Sequence, residues 1–166
     1  MLNEHYGQSL TEQDLSRAMD TGDFMSSFED MQRALLPFGF RAVGVSTSYE
    51  QLAKLKMPVI VYLEHRQGGH FSVLRGVDHK TVWLADPSLG NRTYSRSQFL
   101  AMWETRTKEE ENSALKGRIL GVLPVGSAPE RRLGPADFFT KTPRRQTALA
   151  VERLKFSPIL RLAKRH

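Results

Sequence analysis

Cysteine is absent from all 166 residues of this sequence. Disulfides, thiolate metal sites and a cysteine nucleophile are therefore excluded within these residues. The absence does not indicate a redox compartment, because cysteine-free proteins occur in every compartment. The five histidines offer no substitute site, since no two of them share a helix face at a metal-binding spacing. We therefore expect no metal and no cofactor.

Long apolar runs are missing as well. No stretch of about 18 apolar residues occurs, which predicts a chain without a membrane span. The N-terminus is polar, with Asn3, Glu4 and His5, and lacks the charged and then apolar pattern of a signal peptide. We expect either a cytoplasmic protein or a true start upstream of Met1, in which case a lost signal peptide would direct the protein to the periplasm.

Positive charge is scarce in most of the chain, although the net charge is +6. Residues 1–126 carry 14 Lys and Arg against 15 Asp and Glu, whereas residues 127–166 carry 10 against 3. A nucleic-acid-binding body is therefore not supported. The basic tail is most simply solvated charge, and contact with an anionic surface or a partner is the alternative.

Helix starts are indicated by two capping-box patterns, Ser9–Glu12 and Ser26–Glu29, and by the run Ser95–Gln98, which opens another helix. An apolar stripe follows each of them at helical spacing, and we expect these stripes to pack in the core. The stripes are Leu15/Met19, Met31/Leu35 and Phe99/Trp103.

Strand-like runs dominate the middle of the chain. The runs are Phe40–Val45, Val59–Leu63, His70–Val77, Thr81–Ala85 and Ile119–Val122. Turn signals at Gly68-Gly69 and at residues 78–80 predict antiparallel hairpins. Helices followed by such a sheet indicate an α+β domain over residues 1–124. Beyond Pro124 the composition shifts to a linker rich in Pro and Gly, so we expect residues 125–166 to be a basic extension with one helix at about Gln146–Phe156.

His70 and Asp86 are the candidate catalytic pair. His70 opens one predicted strand and Asp86 closes its hairpin partner, so the two side chains are expected to meet at one end of the sheet. A carboxylate there would fix the imidazole tautomer and leave the other ring nitrogen as a base, and the glycines before His70 would leave room for a substrate backbone. A structural histidine and an Asp-Pro turn remain the alternative on spacing alone. His65 and His79 are assigned to hairpin turns without a role.

Three segments together resemble the peptidase C39 family of bacterial papain-like cysteine peptidases. They are GGHFSVLRGV, VWLADPSLGN and SRSQFLAMW, and the earlier run NEHYGQSLTEQDL is similar to the segment that follows the family's nucleophile helix. The resemblance covers about residues 1–124. It implies a papain-like fold, with His70 as general base, Asp86 as its orienting partner, and a peptide or protein as substrate.

The chain departs from the family's pattern at the nucleophile. The resemblance places the catalytic cysteine and an oxyanion-stabilising glutamine upstream of Asn3, where no residue of this sequence matches them. We expect a C39 domain truncated within the nucleophile helix, inactive as given because the thiolate is the attacking group. The alternatives are a non-catalytic peptide-binding module that assists secretion and, more weakly, an adaptor that acts through its basic tail.

Overall fold

The computed structural model describes residues 1–19, 27–65, 68–104 and 117–126. The helix predicted over residues 146–156 and most of the linker lie outside these ranges, and the domain boundary at residue 124 stays a prediction. None of the helices within the described ranges is both long and apolar enough to cross a bilayer.

Five α-helices and one 3₁₀ turn are described. The helices are α1 (Leu2–Tyr6), α2 (Glu12–Met19), α3 (Phe28–Leu35), α4 (Tyr49–Leu52) and α5 (Arg96–Trp103), with the 3₁₀ turn at Leu36–Phe38. The helix start predicted at Ser95 is confirmed, because the Ser95 and Gln98 side chains cap each other's backbone N–H groups.

The first predicted capping box is wrong by two residues. The Thr11 hydroxyl accepts from the backbone N–H of Asp14 at 3.2 Å, and the Asp14 carboxylate accepts from the N–H of Thr11 at 2.8 Å. Ser9 cannot begin the helix because the next residue, Leu10, is held in the loop by the Asn3 side chain. That amide accepts from the Leu10 N–H at 3.0 Å and donates to the Leu10 carbonyl at 2.8 Å.

The second predicted capping box is wrong by one residue. Ser27 and Asp30 form it, with the Asp30 carboxylate accepting from the Ser27 N–H at 2.8 Å. Two overlapping Ser-x-x-acid patterns occur in this run, which the sequence pattern alone does not distinguish. Ser26 lies outside the described residues.

Within the described ranges, six strands form a sheet in the order β1-β6-β2-β3-β4-β5, with every neighbouring pair antiparallel. Their bounds are β1 Phe40–Thr47, β2 Val59–His65, β3 Gly68–Val77, β4 Thr81–Asp86, β5 Gly90–Ser95 and β6 Gly117–Pro124. The five predicted strands are confirmed. Strand β5 was missed because an edge strand with mostly exposed side chains carries no apolar alternation.

Helices α4 and α5 cover one side of the sheet, which we call the closed face. Trp103 and Phe99 are fully buried there and stack with ring centroids 5.1 Å apart. The Trp103 Nε1–H donates to the carbonyl of Arg118 at 3.0 Å. A Cβ at Gly117 would lie 2.2 Å from the indole ring, so glycine lets β6 approach the tryptophan. Further buried side chains of this core are Tyr49, Leu52, Val59, Val61, Leu63, Leu74, Val77, Val82, Leu84 and Ile119.

The opposite side packs against α1–α3, and we call it the grooved face. Its core is smaller and consists of Leu2, Tyr6, Leu35, Phe40 and Val122. Beside this core lies an open apolar groove of about 480 Å³. Its lining includes Leu15, Met19, Met31, Ile60 and Val73.

The predicted apolar stripes are only partly core. Leu35, Phe99 and Trp103 are buried, as expected. Leu15, Met19 and Met31 are half-buried and line the groove instead. The physical reason is that no described element packs over this part of the sheet, so their outer sides stay open.

Candidate active site

The structure brings His70 and Asp86 together. The Nε2 atom of His70 lies 2.7 Å from Oδ2 of Asp86. His70 stands near the start of β3 and Asp86 ends β4, and the two strands run antiparallel, so these two ends meet at the same edge of the sheet. The geometric expectation drawn from the sequence is met, and the catalytic role of the pair remains a proposal.

The Asp86 carboxylate is buried and fully hydrogen-bonded. Its side chain is 2% exposed. Oδ2 accepts from the Ser72 hydroxyl at 2.8 Å as well as from His70. Oδ1 accepts from the backbone N–H groups of Ser88 and Leu89, each at 2.9 Å. The Asp-Pro turn that follows β4 therefore helps to hold the carboxylate, because it turns two backbone donors towards it.

Two opposing influences set the pKa of Asp86. Burial, the largest single influence, raises it by penalising the charged form. Hydrogen bonds from Ser72, from the backbone N–H groups of Leu89 and Ser88, and from His70 together outweigh burial, and the pKa of Asp86 lies below its ordinary value. The carboxylate is therefore ionised at neutral pH.

The ionised carboxylate determines which nitrogen of His70 is free. A carboxylate only accepts hydrogen bonds, so the Nε2 atom that contacts it must carry the hydrogen. In the neutral imidazole Nδ1 then keeps its lone pair and can accept a proton. The His70 side chain is 30% exposed and lines an open cavity of about 500 Å³ at this edge of the sheet.

The two glycines before His70 serve different purposes. Gly68 has a φ angle of 116°, which L side chains rarely adopt. A Cβ at Gly69 would lie 1.9 Å from the Tyr62 hydroxyl. At Gly69 the missing side chain therefore makes room for the Tyr62 ring, whereas the sequence had suggested room for a substrate backbone. Both glycines lie within β3 and not in the turn predicted for them.

Sequence reasoning missed two residues of the site. Ser72 contacts Asp86 as described above, and its position two residues after His70 on one strand was a usable signal. His65 ends β2 instead of lying in the predicted turn, and its ring stacks on that of His70. The hairpin register, which pairs Leu63 with His70, places His65 on the same face of the sheet.

The other histidines lie away from the pair. His79 is exposed in the turn between β3 and β4, and His5 packs edge-on against Tyr6 in α1. His166 lies outside the described residues. Within the described ranges, no group of three or more His, Cys, Asp and Glu side chains could hold a metal ion.

Comparison with known proteins gives a consistent family. The sequence model described as "Peptidase C39 family" matches residues 1–107. The "Probable functional amyloid protease FapD" of Pseudomonas fluorescens is 40% identical over 77 residues, which are 46% of this chain and 34% of that protein. The protein of the same name from Pseudomonas aeruginosa is 34% identical over 112 residues, which are 62% of this chain and 49% of that protein. The chain thus spans between a third and a half of these relatives' length.

Solved structures agree with the fold. The peptidase domain of Streptococcus ComA, a bi-functional ABC transporter of a quorum-sensing pathway, superimposes with a TM-score of 0.57 and 18% identity. The match covers 72% of this chain and 82% of that domain. A double-glycine-motif protease from an AMS/PCAT transporter, solved with its leader peptide, gives a TM-score of 0.57 and 20% identity over 72% of this chain and 76% of that one. At such identities the likeness supports the α+β papain-like architecture.

Proposed function

The chain belongs to the peptidase C39 family, and on that premise we propose that its described residues form the histidine–aspartate half of a cysteine peptidase site. The reaction is hydrolysis of a peptide bond in a peptide or protein substrate. The observation that carries the proposal is the 2.7 Å contact between His70 and a buried Asp86.

In the proposed mechanism each group has one step. Nδ1 of His70 takes the proton of a cysteine thiol, and Asp86 stabilises the imidazolium that results. The thiolate attacks the scissile carbonyl carbon, and the imidazolium then gives its proton to the leaving amine. Water, deprotonated in turn by Nδ1, hydrolyses the thioester and releases the thiol.

The nucleophile has to come from outside these 166 residues, because they contain no cysteine. From the family resemblance we expect it on a helix that leads into α1. Met1 and Leu2, at the start of α1, line the apolar groove, so the groove is available to a helix that continues α1 in the N-terminal direction. That helix would also bury Leu15 and Met31, which are half-buried now.

The test uses a protein in which this chain is continuous with an upstream segment that carries a glutamine and a Cys-Gly ahead of Asn3. We expect thiol-dependent peptide hydrolysis that alkylation blocks. His70→Ala should lower kcat/KM by about 100-fold or more, since general base catalysis contributes roughly 10²–10⁴-fold. His79→Ala is the matched control, because His79 is exposed and distant in the fold. Full activity of His70→Ala would rule out the assignment.

Substrate, compartment and surface contacts remain proposals. The relatives' name makes a protein of amyloid assembly the first substrate to assay, and the leader-peptide complex of the AMS/PCAT protease makes a double-glycine peptide the second. The sequence predicts a periplasmic location if a signal peptide precedes this chain and a cytoplasmic location otherwise. It also predicts that the basic extension contacts an anionic surface or a partner.

A non-catalytic peptide-binding module is the second candidate. The absence of cysteine favours it. Two measurements test the second candidate. A binding module would retain peptide affinity in the chain as it stands, and it would gain no hydrolysis when the upstream segment is added.

A further inference from the structure

The ring of His65 lies flat against the ring of His70. The two ring centroids are 4.4 Å apart and the ring planes differ by 18°. We infer that His65 is a positioning residue that holds the His70 imidazole against Asp86. The inference rests on the proposed function, because positioning matters only if His70 is the base.

The hairpin register fixes where His65 stands. Leu63 pairs directly with His70, and His65 pairs with Gly68. His65 is two residues beyond Leu63, so its side chain emerges on the same face as that of His70, at a diagonal position within reach of an aromatic ring. No side chain at Gly68 intervenes, and the two imidazoles can meet.

His70 needs such support because little else restrains it. Its side chain is 30% exposed and its ring makes a single described hydrogen bond, from Nε2 to Asp86. Rotation about the bond to an imidazole ring is broad and roughly two-fold. A half-turn would aim Nε2 away from the carboxylate, whose Oδ2 the Ser72 hydroxyl also occupies. A ring stacked on one face hinders that rotation and keeps water from that face.

His65 itself is held by packing. Its Nε2 atom is buried and has no hydrogen-bond partner among the described residues. A buried histidine that belongs to a hydrogen-bond network would have such a partner. The ring of His65 stacks on that of His70, which is the contact that a positioning role requires.

The test reads the His70 ring directly in the chain as it stands, without a nucleophile. In a ¹⁵N-labelled sample the Nε2–H of His70, hydrogen-bonded to Asp86, should give a protected proton signal, which Asp86→Asn identifies by shifting it. His65→Ala should speed exchange of this proton with solvent by about two- to tenfold, the range that corresponds to a typical aromatic pair. His65→Phe should restore slow exchange, because the phenyl ring can still stack. His79→Ala should leave the signal unchanged.

Two results would overturn the inference. One is slow exchange in folded His65→Ala, and the other is loss of protection in folded His65→Phe, which would mean that imidazole chemistry and not stacking matters. If His65→Ala does not fold, His65→Leu, which keeps bulk without a flat ring, replaces it in the same comparison. The readout is separate from activity, so failed hydrolysis by the cysteine-containing protein would remove the proposed function and leave this result standing.

Discussion

The two faces of the sheet differ in how completely they are covered. On the closed face, α4 and α5 bury a continuous core that includes Phe99 and Trp103. On the grooved face, α1–α3 cover a smaller core and leave the apolar groove of about 480 Å³ beside it. Among the described residues, the closed face is therefore densely packed, whereas the grooved face keeps an open apolar groove.

The side chains of the candidate site lie on the closed face of the sheet. His70, Ser72 and Asp86 come from β3 and β4, and the backbone donors to Asp86 come from the turn into β5. None of these groups belongs to α1–α3. The hydrogen bonds that hold the histidine–aspartate pair therefore come from β3, β4 and the turn into β5.

Trp103→Ala should cause the largest loss of stability, because Trp103 is fully buried in the core of the closed face. The side chain is fully buried, stacked on Phe99 and hydrogen-bonded to a carbonyl. Removing it should lower the free energy of unfolding by about 3–5 kcal/mol, measured by denaturant titration. A loss below about 1 kcal/mol would show that the closed face is not the stabilising side.

Asp86→Asn should cause an intermediate loss in the free energy of unfolding, and the loss should depend on pH. At neutral pH it should cost about 1–3 kcal/mol, because the amide cannot satisfy all four donors. The pKa of Asp86 is lowered in the folded state, so its contribution is present above the ordinary carboxyl pKa and is lost as the pH falls through the folded-state value. The difference between the two proteins should therefore shrink below about pH 4.

Asp30, on α3 beside the grooved face, provides a matched control for this pH dependence. The hydroxyl and the backbone N–H of Ser27, and then Arg33, lower the pKa of Asp30, but this carboxylate lies near the surface. Asp30→Asn should show the same sign of pH dependence and a smaller loss. Equal losses for the two variants in unfolding measured across pH would argue against a special environment for Asp86.

Met31→Ala should have the smallest effect, because it tests the grooved face. A fully buried methionine costs about 2–5 kcal/mol on truncation, but Met31 is half-buried with one side open to the groove. We expect a loss of about 1 kcal/mol or less in the same denaturant titration. In a protein that carries the upstream nucleophile segment, the loss should rise towards the buried range, and an unchanged loss there would show that this segment does not occupy the groove.

Much of the fold was predictable from local patterns. The strands around Val61 and Leu74 carry β-branched and apolar residues between clear turn signals, and the Ser95–Gln98 capping box fixed the start of α5. Strand β5 was not predictable, since its stability comes from pairing with β4 and not from burial of its own side chains. The two early helix starts were wrong because each run contains two overlapping capping patterns. At the first start, contacts between Asn3 and Leu10 hold the preceding residue in a loop.

Three features were already evident from the amino-acid sequence: the α+β class, the absence of a thiol within these residues, and the expectation that His70 and Asp86 would meet. Each of them depends on composition or on strand ends that are adjacent along the chain. The contacts of Ser72 with Asp86 and of His65 with His70, and the groove lined by Leu15 and Met31, became evident only in three dimensions. Contacts across strands and the cover over a sheet depend on register and on what packs from a distance, and local sequence patterns carry neither.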